Sequence, residues 1–358
     1  MDFVFSNSSI TGMLAVMPDR EIKFEDEMVN FNFPIKSSLK LAKTFGYGAR
    51  RVVDDGVTAS DLCVYGINYL LDAGLLKKED IGGILFISQT PDYIQPPTSN
   101  VIQGKLRLGY DVLCMDINQG CAGFVLGIFQ AYSLLASGLE GKILLLNAET
   151  PSLVMPKRDR SSTPLFGDAA TITVIEKTDA ETPSRFKIKN DGSRYDALII
   201  PAGGFRMRCS TETSVETQQE DGNFRSLEHP VMKGDDVYNF TVNEVIELIE
   251  EMVSTSSLTK EDIDYYMLHQ PNRFILQNMA KKMGIPEDKM PNNIVGLFGN
   301  SSSAALPVNI VYNLGEILER RELTFLLSGF GIGLSWNTAL MKLGNLNFCK
   351  MVGHSLCQ

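Results

Sequence analysis

The sequence predicts a layered α/β protein made of two related halves, and three observations support this fold class. Helix-like and strand-like segments alternate, a four-residue motif recurs far along the chain, and one helix-like segment is apolar on nearly every side. The chain has 358 residues, of which 44% are hydrophobic and 21% charged, so it can bury a large core. These values exclude a disulfide mini-protein, a coiled coil and a disordered tail.

The alternation is clearest in the first half of the chain. Periodicity predicts a helix at residues 60–73, a strand at 84–88, a helix at 100–108, a strand at 112–117, a helix at 121–136 and a strand at 142–147. The helix at 121–136 is apolar almost all round, so we expect it to lie inside the molecule, covered on every side.

An internal repeat indicates duplication. The motif Lys78-Glu79-Asp80-Ile81 recurs as Lys260-Glu261-Asp262-Ile263, each time between a helix-like segment and an apolar strand. Further pairs follow in order, among them Gly120-Cys121 with Gly299-Asn300. We therefore expect an N-terminal half at residues 1–178 and a C-terminal half at 179–358, with Cys121 and Asn300 at equivalent positions.

Charge and cysteine usage limit the partners and the compartment. The chain has 43 acidic and 33 basic residues, a formal charge of -10, which argues against a nucleic-acid partner. It has neither a basic leader segment nor an apolar run near the roughly 18 residues needed to cross a bilayer. Six cysteines without a C-x-x-C pair fit reduced thiols better than disulfides or zinc. We expect a cytoplasmic protein.

Two segments are less regular. Residues 206–229 are polar with little to bury, which predicts a long surface loop or lid. The tail at residues 344–358 is either a packed extra strand or a frayed end.

Cys121 is a candidate nucleophile. It follows a strand-like segment and the turn Asn118-Gln119-Gly120, and it begins the apolar helix. A helix N-terminus favours the thiolate and lowers a thiol pKa by roughly one unit. The alternative is a small buried hydrophobic residue, although small neighbours on both sides allow a substrate to approach.

His269 and Asn300 are candidate partners. His269 ends an apolar strand, where α/β sheets commonly place ligand chemistry, but a lone histidine is also often structural. Asn300 lies in a glycine turn before a small-residue helix start, where it would equally serve as an N-cap. With no second histidine nearby, we expect no metal site. The glycine-rich loop at residues 329–333 does not match a dinucleotide-binding motif. It is better explained as a loop whose backbone N–H groups are free to bind an oxyanion.

Several motifs together identify a family. From about residue 46 to 343, the chain resembles the β-ketoacyl-acyl carrier protein synthase III branch of the thiolase-fold condensing enzymes. The matching pieces are Gly120-Cys121-Ala122-Gly123-Phe124, Asp159-Arg160, Phe166-Gly167-Asp168-Ala169-Ala170, Met232 with Gly234, His269-Gln270 with Asn272, Gly299-Asn300-Ser301-Ser302-Ser303-Ala304-Ala305, and Gly329-Phe330-Gly331 through Trp336.

The resemblance implies a five-layered αβαβα fold, a homodimer and a 3-oxoacyl-[acyl-carrier-protein] synthase III-like acyltransferase of fatty acid biosynthesis. Cys121 would carry the acyl group, His269 and Asn300 would complete the site, and the backbone N–H groups of Cys121 and Ile332 would form the oxyanion hole. A malonyl thioester would then condense with loss of carbon dioxide, since Asn300 cannot act as the base that a non-decarboxylating thiolase needs. Thioesters of CoA and acyl carrier protein are substrates, and no cofactor is implied.

The resemblance also suggests where thioesters bind. Arg160 matches a CoA-contacting arginine, whereas Gly48 stands where another such arginine is frequent. Arg273, Lys281 and Lys282 form a candidate patch for an acidic carrier protein, the alternative being a solvated helix face. Pocket walls are expected to come partly from the dimer mate near residues 96–101.

Two other functions stay open on the sequence. A relative of the same fold could pass its acyl group to an alcohol or amine in a specialised pathway. A non-catalytic partner subunit is the other alternative, although such subunits usually lose the nucleophile that Cys121 supplies.

Overall fold

The computed structural model describes residues 1–179 and 183–355. The strands in this part of the chain are β1 (Asp2–Phe5), β2 (Ser8–Pro18), β3 (Glu21–Lys23), β4 (Ala49–Arg51), β5 (Ile81–Ile87), β6 (Leu113–Ile117), β7 (Lys142–Glu149), β8 (Ala169–Lys177), β9 (Ser184–Asn190), β10 (Leu198–Ile199), β11 (Thr217–Gln218), β12 (Phe224–Arg225), β13 (Val231–Met232), β14 (Tyr265–Leu268), β15 (Leu323–Gly331), β16 (Ser335–Leu343) and β17 (Phe348–His354). The α-helices are α1 (Phe24–Glu27), α2 (Ile35–Phe45), α3 (Ala59–Asp72), α4 (Thr98–Leu106), α5 (Gly123–Ala136), α6 (Gly234–Phe240), α7 (Ile246–Ser254), α8 (Arg273–Met283), α9 (Val295–Phe298) and α10 (Ala305–Leu318).

Two large sheets share one internal pattern. The first has the strand order β17-β2-β8-β7-β5-β6, and the second has β1-β9-β16-β15-β14. The run β2-β8-β7-β5 pairs antiparallel, antiparallel, then parallel, and the run β9-β16-β15-β14 repeats these directions. This repetition confirms the prediction of two duplicated halves.

Two helices fill the space between the sheets. Helix α5 packs on β5 and β7 of the first sheet and on β15 and β16 of the second, while α10 packs on β2 and β8 and also on β14. Helices α3 and α4 cover the outer face of the first sheet, and α7 packs on the second sheet with α8 beside it. The order of layers is αβαβα, and α5 is the covered central helix that its all-round apolar sequence predicts.

The recurring motif has the same contact in each half. The Lys78 ammonium donates to the carbonyl of Leu106, at the end of α4, over 2.6 Å. The Lys260 ammonium donates to the carbonyl of Met283, at the end of α8, over 2.7 Å. A lysine beside a helix C-terminus satisfies an unpaired carbonyl and suits the helix dipole, so both lysines stabilise the ends of equivalent helices.

The predicted helices and strands of the first half are confirmed within a few residues, and α5 begins at Gly123 rather than at Cys121. The tail forms the packed edge strand β17, and residues 356–358 of that prediction, with Cys357, lie outside the described residues. The terminal strands each join the other half's sheet: β1 lies in the second sheet and β17 in the first. The half boundary at 178 and 179 falls between β8 and β9 and stays a prediction.

The polar segment 206–229 is mostly exposed, irregular chain, as predicted for a surface loop, and polar contacts hold it in place. It contains the hairpin of β11 and β12. Its residue Arg225 forms an ion pair with the buried Asp159 and another with Asp221. The amide of Phe224 donates to the carbonyl of Arg158 over 3.3 Å. Because polar cross-links replace the missing apolar core, the segment is anchored to residues 156–163. Within the described residues, no helix has the length and apolar character to span a bilayer.

Candidate active site

Cys121, His269 and Asn300 converge, and each of them contacts Ser302. The Ser302 hydroxyl lies 3.9 Å from the Cys121 sulfur, and the Ser302 amide donates to Oδ1 of Asn300 over 2.9 Å. A backbone interaction of Ser302 also reaches the His269 imidazole. The three predicted residues are 7%, 2% and 3% exposed, so the site is nearly closed to water. The structure therefore brings together the three side chains that the sequence singled out.

Cys121 lies just before the first turn of α5, whose N-cap residue is Ala122. Burial raises the pKa of its thiol to about 11, and the charge of Glu149 adds to this rise. The Ser302 hydroxyl and the backbone groups of Cys121 and Ile332 act in the opposite direction. Burial therefore opposes the helix N-terminus, which by itself favours the thiolate only weakly, and the thiol pKa is raised overall.

The glycine-rich loop after β15 lies against the nucleophile. A Cβ on Gly331 would lie 2.7 Å from Cβ of Cys121, and the φ angle of Gly331 is +155°. Only glycine permits this approach. The Gln119 side chain donates to the carbonyl of Ile332 over 3.3 Å, which holds the loop on the turn before Cys121. The backbone groups of Cys121 and Ile332 thus lie within hydrogen-bonding reach of the sulfur.

His269 directly follows β14, and its amide donates to the carbonyl of Ser328 over 2.8 Å. Its ring meets the ring of Phe330 edge-on at 5.6 Å between centroids. Burial lowers the imidazole pKa to about 3, opposed by the Ser302 backbone, so the ring is neutral near pH 7. Nδ1 has no hydrogen-bond partner among the described residues. A neutral imidazole carries one N–H, which makes it a hydrogen-bond donor without charge.

Asn300 is held through its backbone. Its amide donates to the carbonyl of Leu165 over 2.7 Å, and its carbonyl accepts from Gly167 over 3.2 Å. Its Oδ1 accepts from Ser302, which leaves the side-chain NH₂ group as the donor. The N-cap alternative is partly right: Asn300 Oδ1 accepts the amide of Ser302, the first residue of the 3-10 turn that leads into α10, although the N-cap positions themselves are Ser301 and Ala304.

Sequence reasoning missed Glu149. This residue ends β7, is 1% exposed, and accepts hydrogen bonds from the Gln89 amide at 3.0 Å and from the hydroxyls of Thr90 and Ser88 at 3.2 and 3.3 Å. Burial raises its carboxyl pKa to about 7. The sequence signal that could have identified Glu149 is an acidic residue at the end of an apolar strand. Ser302 was missed as well, inside the motif that identified Asn300.

The predicted binding residues lie at two places, Arg160 beside the polar segment and the other three on α8, and their binding roles stay a prediction. Arg160 donates to Oδ1 of Asn223 over 2.9 Å and to the carbonyl of Asp221 over 2.5 Å. Arg273 begins α8, whereas Lys281 and Lys282 lie in its last turn, about 12 Å further along the helix. Lys282 donates to the carbonyl of Val242 over 2.7 Å, and Lys281 is exposed.

A surface cavity of about 520 Å³ lies between residues 155–158 and the polar segment. Its lining residues are Asn30, Met155, Pro156, Lys157, Arg158, Glu216 and His229. In the part of the chain that the structure describes, no group of three or more His, Cys, Asp or Glu side chains could hold a metal ion.

Fold and site together define a condensing enzyme of the thiolase fold. Its two duplicated α/β halves meet at a buried cysteine, histidine and asparagine.

Comparison with known proteins identifies the family. Residues 115–192 match the family described as 3-Oxoacyl-[acyl-carrier-protein (ACP)] synthase III, and residues 253–343 match its C-terminal family. The chain is 30% identical over 343 residues to a putative 3-oxoacyl-[acyl-carrier-protein] synthase 3 of Campylobacter jejuni, covering 96% of each chain. It is 31% identical over 295 residues to a beta-ketoacyl-[acyl-carrier-protein] synthase III of Clostridium perfringens, covering 82% of this chain and 87% of the relative.

A solved structure agrees over nearly the whole chain. The 3-oxoacyl-(acyl-carrier protein) synthase from Burkholderia xenovorans LB400 superposes with a TM-score of 0.91 at 30% identity, covering 99% of each chain. The chain belongs to the 3-oxoacyl-[acyl-carrier-protein] synthase III family and is an acyltransferase of the condensing type.

Proposed function

We propose that Cys121 accepts an acyl group from a thioester and that the acyl-enzyme then condenses with a malonyl thioester. In the first step the Cys121 sulfur attacks the acyl carbon, and the new C–S bond replaces the bond to the donor sulfur. The thiol proton leaves with the donor thiol. The backbone N–H groups of Cys121 and Ile332 stabilise the negative oxygen of the tetrahedral intermediate.

In the second step the malonyl thioester loses its carboxylate as carbon dioxide. The electron pair of the broken C–C bond forms an enolate, whose oxygen accepts hydrogen bonds from the His269 N–H and the Asn300 NH₂. The enolate carbon attacks the acyl carbon, the bond to the Cys121 sulfur breaks, and a solvent proton restores the thiol. The product is a 3-oxoacyl thioester.

One observation carries this proposal: Ser302 contacts the nucleophile, the imidazole and the amide at once. Three residues far apart in sequence are thereby grouped as a nucleophile and two neutral donors. Neutral donors suit an enolate that decarboxylation creates directly, whereas removal of an α-proton needs a base. No observation favours transfer to an alcohol or amine, or a non-catalytic role.

The proposed two-step mechanism also implies the substrates and partners. The acyl donor is a thioester of CoA or acyl carrier protein, and the malonyl group arrives on acyl carrier protein; no resident cofactor takes part. A homodimer is supported by Tyr93 and Ile94, which are 57% and 71% exposed just before residues 96–101, the segment near which the partner is expected. A reducing compartment keeps free thiols reduced, which supports a cytoplasmic location.

The test has two readouts on one protein. Incubation with a panel of acyl thioesters, followed by mass spectrometry, should give an acyl adduct on Cys121 that Cys121→Ala lacks. Addition of carboxyl-labelled malonyl-carrier thioester should release labelled carbon dioxide and form a 3-oxoacyl product. An acyl adduct that instead yields an ester or amide without carbon dioxide would reject condensation, and absence of any adduct would reject the enzymatic role.

A further inference from the structure

We propose that Arg50, oriented by Glu27, is a positioning residue for Asn300: it fixes the backbone that aims the Asn300 amide at the enolate of the condensation step. This inference rests on the proposed function, because it concerns the donor that binds the enolate there. It is carried by a chain of contacts that begins at Glu27 and ends at both backbone groups of Asn300.

Asn300 is held on both sides by one short segment of the first half. Its amide donates to the carbonyl of Leu165 over 2.7 Å, and its carbonyl accepts from the amide of Gly167 over 3.2 Å. Phe166, the residue between these two partners, forms an isolated parallel β-bridge with Asn300. A displacement of Phe166 would therefore move both hydrogen bonds, and Asn300 with them.

Arg50 in β4 supplies the side chain that holds this segment. Its Nη1 donates to the carbonyl of Phe166 over 3.3 Å. Its Nε donates to one carboxylate oxygen of Glu27 over 3.0 Å, and its Nη2 pairs with the other. A guanidinium presents its donors in a fixed plane, so a carboxylate that binds two of them orients the third. Glu27 thereby sets the direction of the bond to Phe166.

The pair of Arg50 and Glu27 is buried, so its geometry is restricted. Side-chain exposure is 8% for Arg50 and 10% for Glu27. Glu27 ends α1, which directly follows β3, and β3 pairs antiparallel with β4. A buried charge without its partner is strongly destabilising, which disfavours any arrangement in which the two side chains separate. The ion pair therefore keeps the guanidinium in one arrangement.

The segment around Phe166 and the loop that carries Asn300 are also in direct backbone contact. A Cβ on Gly167 would overlap the carbonyl oxygen of Phe298, the last residue of α9. A Cβ on Gly299 would lie 2.6 Å from the amide nitrogen of Gly167. Because no side chain separates the two backbones, a shift of one segment displaces the other.

The effect should be specific to the second chemical step. The Oδ1 atom of Asn300 accepts from the amide of Ser302 in the same loop, which orients the side chain within that loop. The backbone bonds to Leu165 and Gly167 place the loop against the first half, where Cys121 lies. A misplacement of about 1 Å can cost about 10² in rate. In the proposed mechanism the Asn300 amide binds only the enolate, so acylation of Cys121 does not need it.

Arg51 offers a matched control, because it is the next residue of β4 and faces the opposite side of the strand. Its guanidinium donates to the carbonyl of Asp19 over 2.9 Å and pairs with Glu21 over 3.1 Å. Its backbone carbonyl accepts from the amide of Asp168 over 2.7 Å, a bond that a side-chain replacement keeps. Arg51→Met therefore removes a guanidinium from the same strand without removing a contact to the Asn300 segment.

The experiment measures two single-turnover rates. Acylation of Cys121 is followed by mass spectrometry of the intact protein, and condensation by release of labelled carbon dioxide when preformed acyl-enzyme meets a malonyl-carrier thioester. Arg50→Lys keeps a buried cation beside Glu27 but loses the planar fork, so carbon dioxide release should fall at least tenfold and acylation no more than threefold. The double variant Glu27→Gln, Arg50→Met removes both buried charges and should show the same split. Arg51→Met should keep both rates within threefold.

A double-mutant cycle distinguishes positioning from a merely structural role. If Arg50 acts through Asn300, Arg50→Lys should slow carbon dioxide release no more than threefold in an Asn300→Ala background, because the group that it positions is already absent. A loss of the same factor in both backgrounds would show that Arg50 acts elsewhere and would overturn the inference.

The other outcomes separate this inference from the proposed function. If both Arg50 variants lose less than tenfold in carbon dioxide release, or lose as much in acylation, the inference is overturned and the Cys121 chemistry stands. If Asn300→Ala itself releases carbon dioxide at the native rate, the enolate site of the proposed function fails and the inference fails with it.

Discussion

The hydroxyl oxygen of Ser302 lies 3.9 Å from the sulfur of Cys121, although 181 residues separate them. Ser302 has a φ of +50°, a left-handed conformation that L-residues other than glycine rarely adopt. In this conformation its amide meets Asn300 while its hydroxyl meets Cys121. A single residue between α9 and α10 thereby joins the nucleophile of one half to the amide of the other.

Replacement of Ser302 should separate its two contributions. Ser302→Ala and Ser302→Gly both remove a hydroxyl that lowers the Cys121 pKa, so acylation should fall about fivefold in each, equivalent to about 1 kcal/mol. Ser302→Ala should also be about 1 kcal/mol less stable than Ser302→Gly, because glycine tolerates the positive φ. Acylation rates and urea unfolding check this. Equal stability of the two variants would show that the positive φ of residue 302 costs no conformational strain.

The thiol of Cys121 should react as a buried, neutral group. Burial raises its pKa to about 11, so the thiolate fraction, and with it the rate of alkylation by iodoacetamide, should rise about tenfold per pH unit from pH 7 to 10. Peptide mass spectrometry measures the rate at each cysteine. The exposed Cys209 provides an internal reference. A plateau at Cys121 below pH 9 would show that the thiolate is stabilised more than burial allows.

Asn300→Ala should impair condensation far more than acylation. Loss of one donor to a developing oxyanion typically costs about 10² to 10³ in rate, and in the proposed mechanism that oxyanion forms only after the malonyl thioester enters. The unpaired Ser302 amide should also lower the free energy of unfolding by about 1–3 kcal/mol. Single-turnover release of carbon dioxide from preformed acyl-enzyme, beside the rate of adduct formation, separates the steps. Equal losses in both would remove Asn300 from the second step.

Glu149 should make stability depend on pH. Its folded pKa of about 7 lies above the usual value of 4.5, so its stabilising contribution is complete below pH 4.5 and is lost as pH rises through 7. The loss approaches about 3 kcal/mol at high pH. In Glu149→Gln this slope should be absent, so the stability of the variant relative to the native protein should increase between pH 5 and 8. Urea unfolding at both values measures it, and parallel pH profiles would contradict the raised pKa.

The duplicated architecture can be predicted from the sequence because short local sequence patterns encode it. The motif at Lys78 and Lys260 marks the same helix-capping contact in both halves, and the all-round apolar run at 121–136 predicts a covered helix. The periodicity of apolar residues indicates which faces of a helix or strand are buried, and packing against the two sheets determines that burial. The sequence predicts the polar segment 206–229 as a surface loop but not its anchoring, because the anchoring comes from ion pairs with distant residues such as Asp159.

The sequence by itself determined the two-halved α/β architecture, the family and the identity of Cys121, His269 and Asn300 as chemical candidates, since residue types and apolar periodicity are local properties. Only the tertiary structure decided the protonation of Cys121 and His269, the part played by Ser302 and Glu149, and the engagement of Arg160 by the hairpin. Each of these depends on desolvation or on contacts between residues far apart in the chain, and local sequence patterns predict neither.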